Sequence, residues 1–168
     1  MDAPRVNAVA TILTGFSLAC LAIAGPAQAQ ANSDLMGRWA TEGFDSIVEL
    51  TPCPGDADAI CGRVLWLWDE ADASGQPRKD IRNPDKSLRA RPIVGIEIVH
   101  GLKRSASGTS FSGLLYDPDD GRTYTGVLQQ RGRTLELKGC ALTLFCDTQI
   151  WRRAADVVAA AGPAATGR

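Results

Sequence analysis

Gly37-Arg38-Trp39 and Trp151-Arg152-Arg153 stand near the two ends of the stretch that decides the fold, residues 33–153. Between these two motifs, short runs of β-type residues alternate with clusters of Gly, Pro, Asp and Ser. About eight runs follow one another, mostly across short turns, which is typical of an antiparallel meander. Closing such a meander into a barrel removes its exposed edges. The sequence therefore predicts an all-β, antiparallel up-and-down barrel of about eight strands.

The predicted strands have alternating side chains and are bounded by turn residues. The third strand places Val64, Trp66 and Trp68 on one face, so both tryptophans are expected in the core or on a cavity wall. The polar segment 69–91 is long for a compact domain and is expected to cover one barrel end. The predicted strands are 35–40, 46–51, 62–68, 92–102, 110–116, 122–130, 134–138 and 148–153.

The first 29 residues have the features of an export signal. Arg5 precedes an apolar run, and Ala27-Gln28-Ala29 fits the small-x-small pattern that signal peptidase accepts. We expect cleavage after Ala29 and a periplasmic or, alternatively, secreted product without a transmembrane anchor. Lipidation at Cys20 fits less well, because Ser17 stands where a lipoprotein motif has leucine. The Ala-, Gly- and Pro-rich residues 154–168 are expected to be a disordered tail, with a helical turn or two over 154–161 as the alternative.

Charge and cysteine content narrow the possible functions. With 18 basic and 19 acidic residues the net charge is −1, so no basic field would attract nucleic acid. Four cysteines remain after cleavage, and an even number in an exported chain predicts two disulfides. The spacing favours the local pairs Cys53–Cys61 and Cys140–Cys146 among three pairings. A four-cysteine zinc site is the competing interpretation, disfavoured because no Cys-x-x-Cys pair occurs.

The sequence contains no recognisable catalytic or metal-binding motif. His100 is the only histidine, whereas a triad or metal site needs further partners. The Asp-rich stretch 117–121 resembles a calcium loop, but its Pro and Gly already explain a turn. Acids in or near strands, such as Glu49 and Glu97, leave a hydrolase as the weaker alternative. We expect no catalytic residue, no bound metal and no cofactor.

Candidate binding residues lie on the aromatic strands and in the long polar segment. Asp80 and Asn83 could form a polar mouth, or could scaffold the loop around Pro84. We predict a non-enzymatic barrel that binds a small apolar or amphipathic ligand beneath segment 69–91. The alternative is a protein-interaction or envelope-stress module with a packed interior and an unknown protein partner. The candidate ligand-binding residues are Trp66, Trp68, Asp80, Asn83, Tyr116 and Tyr124.

An ordered series of motifs resembles a bacterial envelope family known as domain of unknown function 2147. The resemblance covers essentially the whole of residues 33–153. It implies a lipocalin-like (calycin-type) β-barrel exported to the periplasm of Gram-negative bacteria, and it implies no established activity. The motifs are Gly37-x-Trp39, Cys61-Gly62-Arg63-Val64, Asp80-x-x-Asn83-Pro84-Asp85, Leu88-Arg89-x-Arg91-Pro92-Ile93-x-Gly95, Gly113-x-x-Tyr116-Asp117-Pro118-x-x-Gly121-x-x-Tyr124, Leu135-x-Leu137-x-Gly139 and Gln149-x-Trp151-x-Arg153.

The lipocalin-like resemblance also implies how one barrel end closes. In such barrels the Gly-x-Trp motif of the first strand lays an indole across the closed end, and an arginine of the last strand packs on it. Here Gly37 and Trp39 would supply the plug, with Arg153 on the same strand face as Trp151 as the expected cation and Arg152 as the second choice. A partly desolvated stack of this kind is worth about 1–2 kcal/mol.

Overall fold

The computed structural model describes residues 34–141 and 145–161. Every strand pairs antiparallel with the next one along the chain, and β8 pairs with β1, so the sheet closes on itself. The predicted up-and-down barrel of eight strands is confirmed. Its strands are β1 Gly37–Ala40, β2 Ser46–Cys53, β3 Asp56–Leu67, β4 Glu97–Arg104, β5 Phe111–Asp117, β6 Arg122–Arg131, β7 Thr134–Ala141 and β8 Phe145–Arg153, followed by helix α1 Ala154–Ala161.

Apolar side chains at alternate strand positions fill the half of the barrel that contains the start of β1. Val48 and Leu50 on β2 are fully buried, whereas Thr51, which points to the opposite face of the sheet, is exposed. Gly126 on β6 makes room for Leu115, since an added Cβ would lie 2.3 Å from the Leu115 Cγ. The cluster in this half consists of Leu35, Trp39, Val48, Leu50, Ile60, Val99, Leu102, Phe111, Leu115, Leu128, Leu135, Leu137 and Trp151.

Trp39 closes that packed end of the barrel. Its indole is fully buried, and Nε1 donates a hydrogen bond to the Leu35 carbonyl at 2.8 Å. The Arg153 guanidinium lies 3.9 Å from the centre of the indole ring and donates to the Met36 carbonyl at 2.7 Å. Arg153 rather than Arg152 therefore forms the cation–π stack, and the stack joins the first strand to the last.

Two disulfides join neighbouring strands at opposite ends of the barrel. Cys53–Cys61 links β2 to β3 near the closed end, and Cys140–Cys146 links β7 to β8 near the other end. This is the local pairing that the spacing favours. Each bond closes a short loop. In the loop-entropy model, closing a loop of this length raises the free energy of the unfolded chain, and so stabilises the fold, by roughly 2–3 kcal/mol.

The starts of β3 and β4 differ most from the predicted strand boundaries. Strand β3 begins at Asp56 rather than at residue 62, because Ile60 is buried and pairs with Leu102 of β4. Strand β4 begins at Glu97 rather than at residue 92. The chain turns at Gly95, whose φ of 98° is favourable only for glycine, and the regular β4 pairing starts after it.

Over residues 154–161 the chain forms a helix, which was the alternative to the predicted disordered tail. Helix α1 spans Ala154–Ala161, with Ala154 buried against the barrel and Asp156 in an ion pair with Arg133 at 2.6 Å. These contacts give the first turn a packing surface that its Ala-rich sequence does not reveal. Residues 162–168 and the predicted leader, 1–29, lie outside the described residues. Within the described part of the chain, no helix has the length and apolar character needed to span a membrane.

The predicted common face for Val64, Trp66 and Trp68 is wrong, because a β-bulge interrupts β3. Ile47 of β2 pairs with Trp66, but the next residue, Val48, pairs with Val64, so Leu65 is left without a register partner on β2. The extra residue turns the tryptophans away from the interior. Val64 is buried, whereas Trp66 is partly exposed and Trp68 has 73% of its surface exposed.

Candidate functional site

The end of the barrel opposite Trp39 contains a cavity of about 360 Å³. Trp151 forms its floor, buried and held by a hydrogen bond from Nε1 to the Gln149 Oε1 at 3.0 Å. The volume falls at the lower end of the range for small-molecule sites, roughly 300–1,000 Å³. The apolar walls come from strands β3, β4, β5 and β7 and from the connection before β4; they are Val64, Leu67, Ile93, Ile98, Val99, Leu115 and Leu137.

The connection between β3 and β4, residues 68–96, covers part of this end and is here called the cover segment. A buried polar cluster fixes it to the barrel. Asp80 is fully buried, and its Oδ2 accepts hydrogen bonds from Arg91 Nε at 3.0 Å, Arg91 Nη2 at 2.8 Å and Asn83 Nδ2 at 2.8 Å. Tyr116 on β5 donates its hydroxyl to Asp80 Oδ1 at 2.5 Å. The cover segment is therefore bonded to the sheet through β5.

Tyr116 is the link between the polar cluster and the cavity. Its hydroxyl also accepts from Asn83 Nδ2 at 3.0 Å, while its ring lines the cavity wall. Burial, followed by the Asp80 hydrogen bond and charge, raises the pKa of Tyr116 to about 12. The neutral phenol is thus the form that the fold stabilises. Asp80 and Asn83 themselves are buried outside the cavity lining, which matches their scaffolding interpretation.

The cover segment also packs on the turn between β5 and β6. Gly121 in that turn has a φ of 74°, and a Cβ added there would lie 2.0 Å from the Arg82 carbonyl oxygen. Arg78 of the cover segment forms an ion pair with Asp119 of the same turn at 2.9 Å. Together with the Asp80 cluster, these contacts hold the segment in place at two separate points of the barrel.

Carboxylates surround the opening of the cavity. Burial and the neighbouring charges of Asp120 and Asp119 raise the pKa of Asp117, although its Oδ1 accepts the Asp119 amide at 2.8 Å. Tyr124 lines the cavity and donates its hydroxyl to Asp120, which raises the pKa of that phenol. Asp120 Oδ1 also accepts the Arg122 amide, so this stretch forms a capped turn. The carboxylates that line the opening are Glu42, Asp45, Asp117, Asp119 and Asp147.

The two remaining predicted site residues, Trp66 and Trp68, do not line the cavity, and neither does His100. Trp66 and Trp68 pack edge to face on the outside of the barrel, with ring centroids 5.9 Å apart. His100 is half-exposed and hydrogen-bonds through Nδ1 to Glu97 Oε1 at 2.9 Å. Among residues 34–141 and 145–161, no group of three or more His, Cys, Asp or Glu side chains is placed to hold a metal ion.

The candidate set misses several residues that line the cavity. Asp147 and Gln149 precede Trp151 at two-residue spacing on β8, so the alternation of a strand that buries Trp151 could have identified them. Glu42 and Asp45 lie in the β1–β2 connection, and their convergence on the cavity depends on barrel closure. No local pattern in the sequence marks the connection as part of a site.

Comparison with known proteins agrees with the fold. Protein HP1028 from the human pathogen Helicobacter pylori, which belongs to the lipocalin family, is similar in structure with a TM-score of 0.59 and 24% sequence identity. The match covers 76% of this chain and 87% of that protein. None of the curated proteins compared with the chain matches it. The model of a family described as uncharacterized protein conserved in bacteria (DUF2147) matches residues 37–153, and the chain therefore belongs to that family.

Proposed function

We propose that this chain is an exported, periplasmic protein that binds a small apolar or amphipathic ligand in the barrel cavity and catalyses no reaction. The observation that supports binding best is the cavity of about 360 Å³, whose lining combines apolar side chains, with Trp151 at the floor, and polar and acidic side chains. Small-ligand sites are usually concave and combine apolar surface, which holds the body of the ligand, with polar groups that orient it. The lipocalin-like fold and the two disulfides support ligand carriage in an oxidising compartment.

A neutral dye tests the proposed site. N-phenyl-1-naphthylamine, whose fluorescence rises in apolar surroundings, is expected to bind the wild-type protein and to lose at least about tenfold in affinity with Gly139→Leu. An added Cβ at Gly139 meets Leu115 and Tyr124 at 3.7 and 3.8 Å, which is ordinary van der Waals contact. Because Gly139 lines the cavity, the rest of the leucine side chain would take up cavity space. Fluorescence titration measures the change.

A matched variant separates cavity filling from a general effect on the strands. Thr148 is exposed on β8, outside the cavity lining, and Thr148→Leu adds a similar apolar side chain to the outer face of the barrel. This variant should bind the dye as the wild type does. Equal binding by Gly139→Leu and Thr148→Leu would contradict a cavity site, as would the absence of dye binding to the wild-type protein.

A second candidate function is hydrolysis, favoured by one observation. Asp117 has a raised pKa and lines a cavity with other carboxylates, as a general acid would. Ligand binding ranks first because the Asp117 carboxylate already accepts the Asp119 amide within the turn. The hydrogen bond and the position of Asp117 are therefore explained by the turn alone, without a catalytic role.

A further inference from the structure

The lining of the cavity has a more negative net charge than the chain as a whole. Five carboxylates and one guanidinium, that of Arg78, line the cavity, which gives it a formal charge of −4, whereas the whole chain has a net charge of −1. The carboxylates come from three separate parts of the chain that the closed barrel brings together: the β1–β2 connection, the end of β5 with the turn after it, and strand β8. The charge is therefore concentrated at this one opening.

Four of these five carboxylates form no ion pair with another described residue. Asp119 pairs with Arg78, while Glu42, Asp45, Asp117 and Asp147 form no ion pair within residues 34–141 and 145–161. Glu42, Asp117 and Asp147 accept hydrogen bonds from the backbone amides of Ile150, Asp119 and Thr148. Clustered like charges at the edge of an apolar cavity attract a positive charge, because field lines focus in a cleft with low-dielectric walls.

We propose that the ligand is a cationic amphiphile, with an apolar body in the cavity and an ammonium or similar cation among the rim carboxylates. This inference rests on the proposed function, since the cavity is the site and the carboxylates set its charge preference. The apolar body would contact Leu115, Leu137 and the Trp151 floor. An anionic amphiphile of the same shape would place its head group among like charges, so fatty-acid-like ligands are disfavoured.

Competition with bound N-phenyl-1-naphthylamine tests the charge preference. Decylamine, decanol and decanoate share one alkyl chain and differ in head-group charge at neutral pH. We expect decylamine to displace the dye at about a tenfold lower concentration than decanoate, with decanol between them. Added salt should reduce the difference, because the rim is open to solvent. Equal displacement by all three, stronger displacement by decanoate, or no displacement by any of them would contradict the cationic preference.

Charge-neutral variants show whether the rim is the cause. Asp45→Asn with Asp147→Asn removes two rim charges and is expected to reduce the advantage of decylamine to about threefold or less. Asp58→Asn with Glu136→Gln removes two charges near the closed end and should leave the advantage intact. An unchanged preference in the rim variant would overturn the inference. Failure of the dye itself to bind the wild-type protein would instead contradict the proposed function, so the two failures are distinguishable.

Discussion

Replacing Asp80 with asparagine is expected to lower the free energy of unfolding by about 3 kcal/mol. The fully buried carboxylate accepts from Arg91, Asn83 and Tyr116, and an amide in its place would present an NH2 group to these donors. Arg91 remains 35% exposed, so solvent reduces the loss below that of a completely buried pair. Urea unfolding measures the change. Asp56→Asn is the matched control, because Asp56 forms its ion pair with Lys103 on the surface. This variant should have almost the same free energy of unfolding as the wild type.

The titration of Tyr116 gives an independent measure of the same cluster. Tyr116 and Tyr124 are the only tyrosines, so Tyr124→Phe leaves a single phenol to follow by ultraviolet absorbance. Its pKa of about 12 exceeds the value of about 10 for an unfolded chain, so Tyr116 stabilises the fold below about pH 10. That contribution is lost as the pH rises from about 10 to about 12. With Asp80→Asn added, the pKa of Tyr116 should fall; an unchanged value would show that Asp80 does not act on the phenol.

Truncating Trp39 to alanine is expected to cost about 4 kcal/mol, the largest effect of any single tryptophan in the chain. The indole is fully buried, bonds to the Leu35 carbonyl and supports the Arg153 guanidinium, so the change removes core volume and the stack that joins β1 to β8. Thermal and urea unfolding would report the loss. Trp68→Ala provides a matched control, because Trp68 is 73% exposed and its removal should cost less than about 0.5 kcal/mol. Similar losses for both variants would contradict this closure of the barrel.

The sequence identifies the barrel because strand alternation and turn residues are local signals. Cys53–Cys61 and Cys140–Cys146 are likewise close in the sequence, and both pairs form as the spacing favours. The orientation of Trp66 is not predictable in this way, because a bulge shifts the register by one residue and its position depends on pairing with β2.

The cavity is harder to predict than the fold, because its residues meet only when the barrel closes. Tyr116 and Tyr124 stand out as aromatic strand residues, and both line the cavity. Asp80 and Asn83 stand out equally but are used to hold the cover segment. Local sequence cannot separate these two outcomes, since both depend on the path of residues 68–96 over the barrel end.

Amide chemical shifts of the isotope-labelled wild-type protein, recorded while N-phenyl-1-naphthylamine is added, test ligand binding in the cavity most directly. Binding there should shift the amides of Leu115, Leu137 and Gly139, which line the cavity, and leave the outer face at Trp66 and Trp68 unchanged. Shifts confined to Trp66 and Trp68, or no shifts at all, would contradict a ligand site inside the barrel.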